Sequence, residues 1–134
     1  MTKKNILIVD DSFVMRALLR GIVTSDPDLT VIGEATNGLE ALQSVRELNP
    51  DLVLLDIEMP HMDGIECLKR LRLLSKIPVI IVSSVAQAGS PQALEARKFG
   101  AAEVIAKPSG AMSLDLNAKK GHEIVTASRK VLGI

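Results

Sequence analysis

The sequence alternates short apolar runs with segments of helical periodicity, and this alternation strongly restricts the possible folds. The apolar runs predict five strands, at residues 5–9, 29–35, 52–55, 77–82 and 103–106. After each run, apolar residues recur every three to four positions, which is typical of an amphipathic helix. Strand–helix units joined by connections this short predict a parallel sheet with helices on both faces. We therefore expect a five-stranded, doubly wound α/β fold.

Polar side chains that can cap a helix precede four of the helical segments. The predicted N-caps are Ser12 (or Asp11), Asn37, Asp63 and Ser90. The last helical pattern covers residues 114–132, but Gly121 weakens its first half. We therefore expect the last helix to begin at about residue 122.

Composition and charge narrow the classes of function. The 134 residues suit one domain, with 47% hydrophobic residues and equal numbers, 16 each, of acidic and basic side chains. Balanced charge provides no attraction for nucleic acid or an anionic membrane. No apolar run reaches the length of a membrane-spanning helix, and the single Cys67 forms no internal disulfide. We expect one cytoplasmic domain at residues 1–132, with residues 108–134 carrying the last helix and the start of a possible linker.

The residues that follow four of the predicted strands are polar. They are Asp10 and Asp11, Asp56, Ser83 and Ser84, and Lys107 and Pro108. Because the carboxyl ends of parallel strands meet at one edge of a sheet, these side chains should converge. Each residue taken singly could be a helix cap or turn residue, but that explanation would be needed four times at the same edge.

The chemistry of this set indicates phosphoryl transfer. Three carboxylates close together repel unless a cation joins them, and an all-oxygen set without His or Cys favours Mg²⁺. A lysine beside the cation leaves space for an anion between the two positive charges. A carboxylate can then attack a phosphoryl group, and Asp56 is the candidate nucleophile.

The same positions resemble the receiver domains of bacterial two-component response regulators, over residues 3 to about 132. The matching motifs are residues 8–12, 55–56, 59–64, 82–84 and 106–108. The resemblance implies a flavodoxin-like receiver fold in which Asp56 accepts a phosphoryl group from a histidine kinase. It also implies that Mg²⁺ binds Asp10, Asp11, Asp56 and the main-chain carbonyl of Glu58.

Further roles are implied by the same resemblance. Ser83 matches the switch hydroxyl, with Ser84 next to it, and Lys107 matches the lysine that pairs with the phosphoryl group. The peptide bond before Pro108 is expected to be cis. One position departs from the pattern: receivers usually carry an aromatic switch residue three positions before the lysine, where this chain has Val104.

A narrower resemblance is to the regulatory domain of chemotaxis protein-glutamate methylesterases. It rests on residues 56–64, on residues 82–84 with Gly89 and Ser90, and on residues 107–110 and 113–116. It implies a chemotaxis-type histidine kinase as partner, with a methylesterase domain or chemoreceptor pathway proteins downstream. This chain is expected to carry no esterase and no DNA-binding domain. It is either the isolated regulatory domain of such an enzyme or a stand-alone receiver acting through a protein partner.

Other proteins with this architecture match the residues less well. A flavin-binding module needs a phosphate-cradling loop after the first strand, where Asp10 and Asp11 would repel phosphate, and it usually has aromatic residues around the ring. A Mg²⁺-dependent phosphatase of the haloacid dehalogenase type has an Asp two residues after its nucleophile, where this chain has Glu58. A structural pseudo-receiver would lack one of the acids or the lysine, and none is missing.

Overall fold

The computed structural model describes residues 3–87, 89–107 and 114–134. In these residues strands and helices alternate as the sequence predicts. They are β1 (Lys4–Val9), α1 (Phe13–Thr24), β2 (Leu29–Ala35), α2 (Gly38–Leu48), β3 (Leu52–Leu55), α3 (Gly64–Leu74), β4 (Val79–Ser83), α4 (Pro91–Lys98), β5 (Glu103–Ala106) and α5 (Leu114–Leu132).

The strands form one parallel sheet in the order β2-β1-β3-β4-β5. This confirms the predicted doubly wound fold and places β2 at an edge. The strand order reverses between β1 and β3, where Val9 pairs with Leu55. Sites in open parallel sheets form beyond the strand ends at such a reversal. The residues directly after Val9 and Leu55 therefore lie side by side.

Helices cover both faces of the sheet. Alternate residues of β1 and β3 point to opposite faces, so Ile8 and Leu54 pack with α1 and α5, while Leu7 and Leu55 pack with α2 and α3. Every residue of β3 is buried, as expected for a central strand of a parallel sheet. The two cores hold the sheet rigidly beneath its carboxyl edge.

Helix α1 buries a narrower stripe than its sequence pattern indicates. Leu19 and Val23 are buried against the sheet, but Val14 is 75% exposed and Leu18 is 37% exposed. The apolar residues of this helix cover a wider arc than its contact with the sheet.

Strand β4 begins two residues later than predicted, at Val79. The carbonyl of Ile77 accepts a hydrogen bond from the Arg72 guanidinium, and Pro78 has no N–H to donate to a neighbouring strand. These two residues therefore belong to the connection after α3.

The prediction that the last helix begins near residue 122 is wrong, because α5 runs through Gly121 from Leu114. A Cβ at Gly121 would lie 3.2 Å from Ile22 Cγ1, so the glycine allows α5 to cross α1 closely. At the far end of α5, Arg129 Nη1 lies 2.9 Å from Asp26 Oδ2 and 3.0 Å from Asp28 Oδ2. Tertiary packing therefore outweighs the low helix propensity of glycine here.

One prediction depends on a residue that is not described. The cis peptide bond before Pro108 lies outside the described residues, as do residues 108–113 at the start of the segment 108–134 that was predicted to carry the last helix and the start of a possible linker. No helix in the described parts of the chain combines the length and the hydropathy needed to cross a bilayer.

Candidate functional site

Three carboxylates lie together at the carboxyl edge of the sheet. Asp10 follows β1 and Asp56 follows β3, and Asp11 is next to Asp10. Each offers an oxygen within 4.8 Å of the others. Asp10 and Asp56 are buried, at 0% and 2% exposure, whereas Asp11 is exposed. The predicted convergence of these side chains is confirmed.

Lys107 completes the cluster and lies at the same carboxyl edge of the sheet, after the outer strand β5. It follows β5, and its side chain passes the end of β4 to reach the acids. Its Nζ donates a hydrogen bond to Asp56 Oδ2 at 3.1 Å and lies 2.9 Å from Asp10 Oδ2. The second contact is an ion pair without hydrogen-bond alignment, because Asp10 Oδ2 is buried and accepts no hydrogen bond. That oxygen has lone pairs left for a cation.

Burial and the neighbouring charges together shift the pKa values of Asp56 and Lys107. Burial, followed by the charge of Asp10, raises the pKa of Asp56, while Lys107 and the Ser83 hydroxyl lower it. Burial lowers the pKa of Lys107, but its close contacts with the carboxylates of Asp10 and Asp56 outweigh that effect and raise the pKa overall. The lysine therefore stays charged, and the cluster carries net negative charge that favours a cation.

The loop after β3 is held against the start of α3. Asp56 Oδ1 accepts a hydrogen bond from the Ile57 amide at 2.8 Å, and the Gly64 amide donates to the Ile57 carbonyl at 2.7 Å. A Cβ at Gly64 would lie 2.0 Å from the Asp56 carbonyl oxygen, so only glycine allows this approach. Asp63 caps α3 by accepting from the Glu66 amide, as predicted. The loop thereby fixes the main chain on which Asp56 stands.

The two serines that end β4 have different environments. Ser83 is fully buried, and its hydroxyl accepts a hydrogen bond from the Val85 amide at 3.4 Å. Ser84 is exposed, and its hydroxyl donates to the Glu58 carboxylate at 3.4 Å. Ser83 therefore belongs to the buried site and Ser84 to its rim. Val104, at the position that carries an aromatic residue in most receivers, packs against the core beneath α4.

One residue that contacts the site, Arg16, was not predicted from the sequence. Arg16, in the first turns of α1, donates from Nη1 to the main-chain carbonyl of Asp10 at 2.8 Å. Its other partner, Glu34, lies in the edge strand β2. A sequence pattern contains no signal for this contact, because it depends on how α1 lies across β1 and β2.

The site fits a hard divalent cation. Its donors are three carboxylates at the edge of the sheet, and one buried oxygen, Asp10 Oδ2, has no hydrogen-bond donor. Oxygen-only donor sets suit Mg²⁺, which keeps several of its waters. Asp11 is exposed and leaves the site open to water.

Comparison with known proteins identifies the family. The profile of the response regulator receiver domain matches residues 6–119. A protein-glutamate methylesterase/protein-glutamine glutaminase of Syntrophomonas wolfei is 48% identical over 120 residues, which cover 90% of this chain and 34% of that protein. The corresponding protein of Halalkalibacterium halodurans is 50% identical over 111 residues, 83% of this chain and 32% of that protein.

Solved structures agree with this assignment. The response regulator domain of Thermotoga maritima CheB superposes with a TM-score of 0.90 at 39% identity, and the match covers 98% of each chain. The structure of the CheA3 P1 domain in complex with CheY6 from R. sphaeroides matches with a TM-score of 0.81 at 40% identity over 100% of both chains. The chain spans about a third of the length of the curated relatives it matches. It belongs to the response regulator receiver domain family.

Proposed function

We propose that this receiver domain is the phosphoacceptor switch of a chemotaxis-type two-component pathway, and that Asp56 accepts the phosphoryl group. The observation that carries the proposal is the ion-pair geometry. Lys107 Nζ lies 3.1 Å from Asp56 Oδ2 and 2.9 Å from Asp10 Oδ2, at the open edge of the sheet. A fixed positive charge beside Asp56 supports the proposal, because the oxygens of an incoming phosphoryl group would carry negative charge there.

Asp56 is the proposed nucleophile. A carboxylate oxygen of Asp56 forms the new P–O bond while the P–N bond of a kinase phosphohistidine breaks. The electron pair of that bond stays on the imidazole nitrogen, which then takes up a proton. The Lys107 ammonium group then pairs with the phosphoryl oxygens instead of the Asp56 carboxylate. Ser83, in the adjacent strand β4, can donate a hydrogen bond from its hydroxyl to the same oxygens.

The residues proposed to hold Mg²⁺ are Asp10, Asp11, Asp56 and the main-chain carbonyl of Glu58. The acidic cluster supports the first three, and the family resemblance supports the fourth. When bound, the ion would neutralise charge on the transferred oxygens. Its two positive charges would also keep Asp56 ionised despite the burial that raises its pKa.

Acetyl phosphate with Mg²⁺ tests this proposal without any partner protein. Intact-mass measurement should show one phosphoryl group per chain in the wild type and none in Asp56→Asn. Excess chelator should slow the modification strongly. Equal modification in Asp56→Asn, or an equal rate in chelator, would contradict the proposal.

We further propose that the partners are a chemotaxis histidine kinase and a methylesterase domain, attached or separate. Support comes from the names of the relatives and from the solved CheA3 P1–CheY6 neighbour. A phosphorylated P1-type donor domain should label the wild type much faster than acetyl phosphate does. The purified chain should release no methanol from receptor glutamyl methyl esters, because the family match over residues 6–119 is to the receiver domain. The alternative is a stand-alone receiver, which would leave an added methylesterase domain unaffected by phosphorylation.

The signal is proposed to leave the site through Ser83 and the loop that follows β4. A hydroxyl that turns toward the phosphoryl group loses its 3.4 Å bond to the Val85 amide and moves this loop. Val104 is too small for a large side-chain rotation to be the output. Hydrogen exchange with a beryllium fluoride mimic should change in residues 84–99, and Ser83→Ala should accept phosphate yet show a muted response. Exchange changes confined to the opposite edge of the sheet would exclude this route.

A further inference from the structure

The turn that carries Asp10 and Asp11 is held by three hydrogen bonds at its main chain and its first carboxylate. The Asp10 amide donates to the Ala35 carbonyl at 3.1 Å, and the Ser12 amide donates to Asp10 Oδ1 at 2.9 Å. The Asp10 carbonyl accepts from Arg16 Nη1 at 2.8 Å. Because the Asp10 carbonyl and the Asp11 amide share one rigid peptide plane, the arginine fixes the plane that joins the two acids.

Arg16 is itself held in place. Its Nε donates to Glu34 Oε1 at 3.0 Å, and the other Glu34 oxygen accepts from Arg20 Nη2 and Nε at 2.6 and 2.9 Å. Glu34 pairs with Ile8 in the sheet and points to the face that α1 covers. The Arg16 side chain is only 13% exposed. The guanidinium therefore bridges the edge strand and the acidic turn with two N–H groups of fixed relative direction.

From this geometry we infer that Arg16 is a positioning residue for the divalent-cation site: its guanidinium holds the Asp10–Asp11 turn in the orientation that binds the ion. This inference rests on the proposed function. Arg16 donates through N–H groups only and cannot be a ligand of a cation. Its influence is exerted through the Asp10 carbonyl and the turn.

Charge and geometry make opposite predictions for Arg16, and this makes the inference testable. A positive guanidinium near a cation site opposes cation binding by simple repulsion. Removing that charge alone would strengthen Mg²⁺ binding, whereas loss of the held turn would weaken it. Arg16→Lys keeps the charge but loses the planar pair of donors that reaches Asp10 and Glu34 together.

The experiment compares Mg²⁺ affinity in the full chain by calorimetric titration. We expect Arg16→Lys to bind Mg²⁺ about tenfold more weakly, as is typical when a hydrogen-bond partner of a ligand is lost. Arg16→Gln should also bind more weakly than the wild type, despite its lower positive charge. The matched control is Arg70→Lys, which makes the same change in an exposed helical ion pair with Glu66 on α3. The Mg²⁺ affinity of Arg70→Lys should stay within about twofold of the wild type, because an exposed ion pair contributes little free energy.

A second measurement does not require the metal. Hydrogen exchange in chelator should be faster at residues 10–15 in Arg16→Lys than in the wild type, and unchanged in Arg70→Lys. The inference is overturned if Arg16→Lys binds Mg²⁺ as tightly as the wild type, if Arg16→Gln binds it more tightly, or if exchange at residues 10–15 is unaltered. If the wild type binds no Mg²⁺, the metal part of the proposed function fails and Arg16 has no cation site to position.

Discussion

Replacing Asp56 with Asn is expected to stabilise the metal-free protein at neutral pH. Asn has nearly the shape of Asp, and its side-chain oxygen can accept the hydrogen bond that the Ile57 amide donates at 2.8 Å. The amide NH2 group then replaces Oδ2 and cannot accept from Lys107, which keeps its 2.9 Å contact with Asp10 Oδ2. The substitution therefore removes a buried charge with little change in packing. The pKa of Asp56 is raised by burial and by Asp10, so the folded protein accommodates the charged form less well than the unfolded chain does.

Distances in the site set the magnitude. Carboxylate oxygens within 4.8 Å of each other repel by at least about 3.5 kcal/mol at an effective dielectric constant of ~20. On the same scale, Lys107 Nζ at 3.1 Å attracts Asp56 by about 5 kcal/mol. Desolvation of a buried carboxylate costs several kcal/mol, so attraction does not offset both opposing effects. We expect Asp56→Asn to gain about 1–2 kcal/mol, which for a domain of this size raises Tm by about 3–7 °C.

Thermal unfolding followed by circular dichroism in chelator is the assay. The gain should be largest at neutral pH and should shrink as the pH falls through the raised pKa of Asp56 toward its ordinary value of 3.8, because the wild-type side chain then becomes neutral too. Excess Mg²⁺ should also narrow the difference, since the ion binds the wild-type acids more tightly. The control is Asp63→Asn at the N-cap of α3, where Asn and Asp cap equally well and Tm should hardly change. A lower Tm for Asp56→Asn in chelator would refute the account of the site's electrostatics.

Three further predictions concern the frame around the site. Gly64→Ala should slow phosphorylation by acetyl phosphate at least about tenfold and lower Tm, because its Cβ would meet the Asp56 carbonyl at 2.0 Å; wild-type rates would contradict the proposed role of this close approach. Arg129→Gln should lower Tm at pH 7 and have less effect on Tm at acid pH. The hydrogen bond from the Asp28 amide, and after it Arg129, lower the pKa of Asp26, so the stability that the charged Asp26 contributes is lost as the pH falls through this lowered pKa. A decrease in Tm that is equal at both pH values would exclude the ion pair as its cause. Cys67 should resist thiol reagents in the folded protein and react only when the protein unfolds, because burial raises its pKa to about 12. Rapid labelling of the native protein would contradict this and would show that the core around Cys67 opens.

The fold and most of the site were predictable from local sequence features. Apolar runs such as residues 52–55 have the length and composition of buried strands, and their alternation with helical patterns leaves few topologies. Asp10, Asp56 and Lys107 were predictable as one cluster because each directly follows such a run. Parallel strands bring those positions to one edge whatever the details of packing.

Features that depend on how elements pack were not predictable. The path of α5 through Gly121 follows from its close crossing with Ile22 of α1, which outweighs local helix propensity. The bond from Arg16 to the Asp10 carbonyl requires a partner, Glu34, 18 residues away in the edge strand. The exposure of Val14 likewise reflects the position of α1 on the sheet. Sequence periodicity describes a helix but not its neighbours.

Locating the phosphoryl group by peptide mass spectrometry tests the central claim most directly. Asp10 makes a suitable rival acceptor, because it is equally buried and its Oδ2 lies 2.9 Å from the same Lys107 Nζ. After reaction with acetyl phosphate and Mg²⁺, the acyl phosphate should be found on Asp56 alone, and Asp10→Asn should retain slow labelling at that position. A phosphoryl group on Asp10 or Asp11, or labelling that moves to them at full rate in Asp56→Asn, would contradict the assignment of Asp56 as the acceptor.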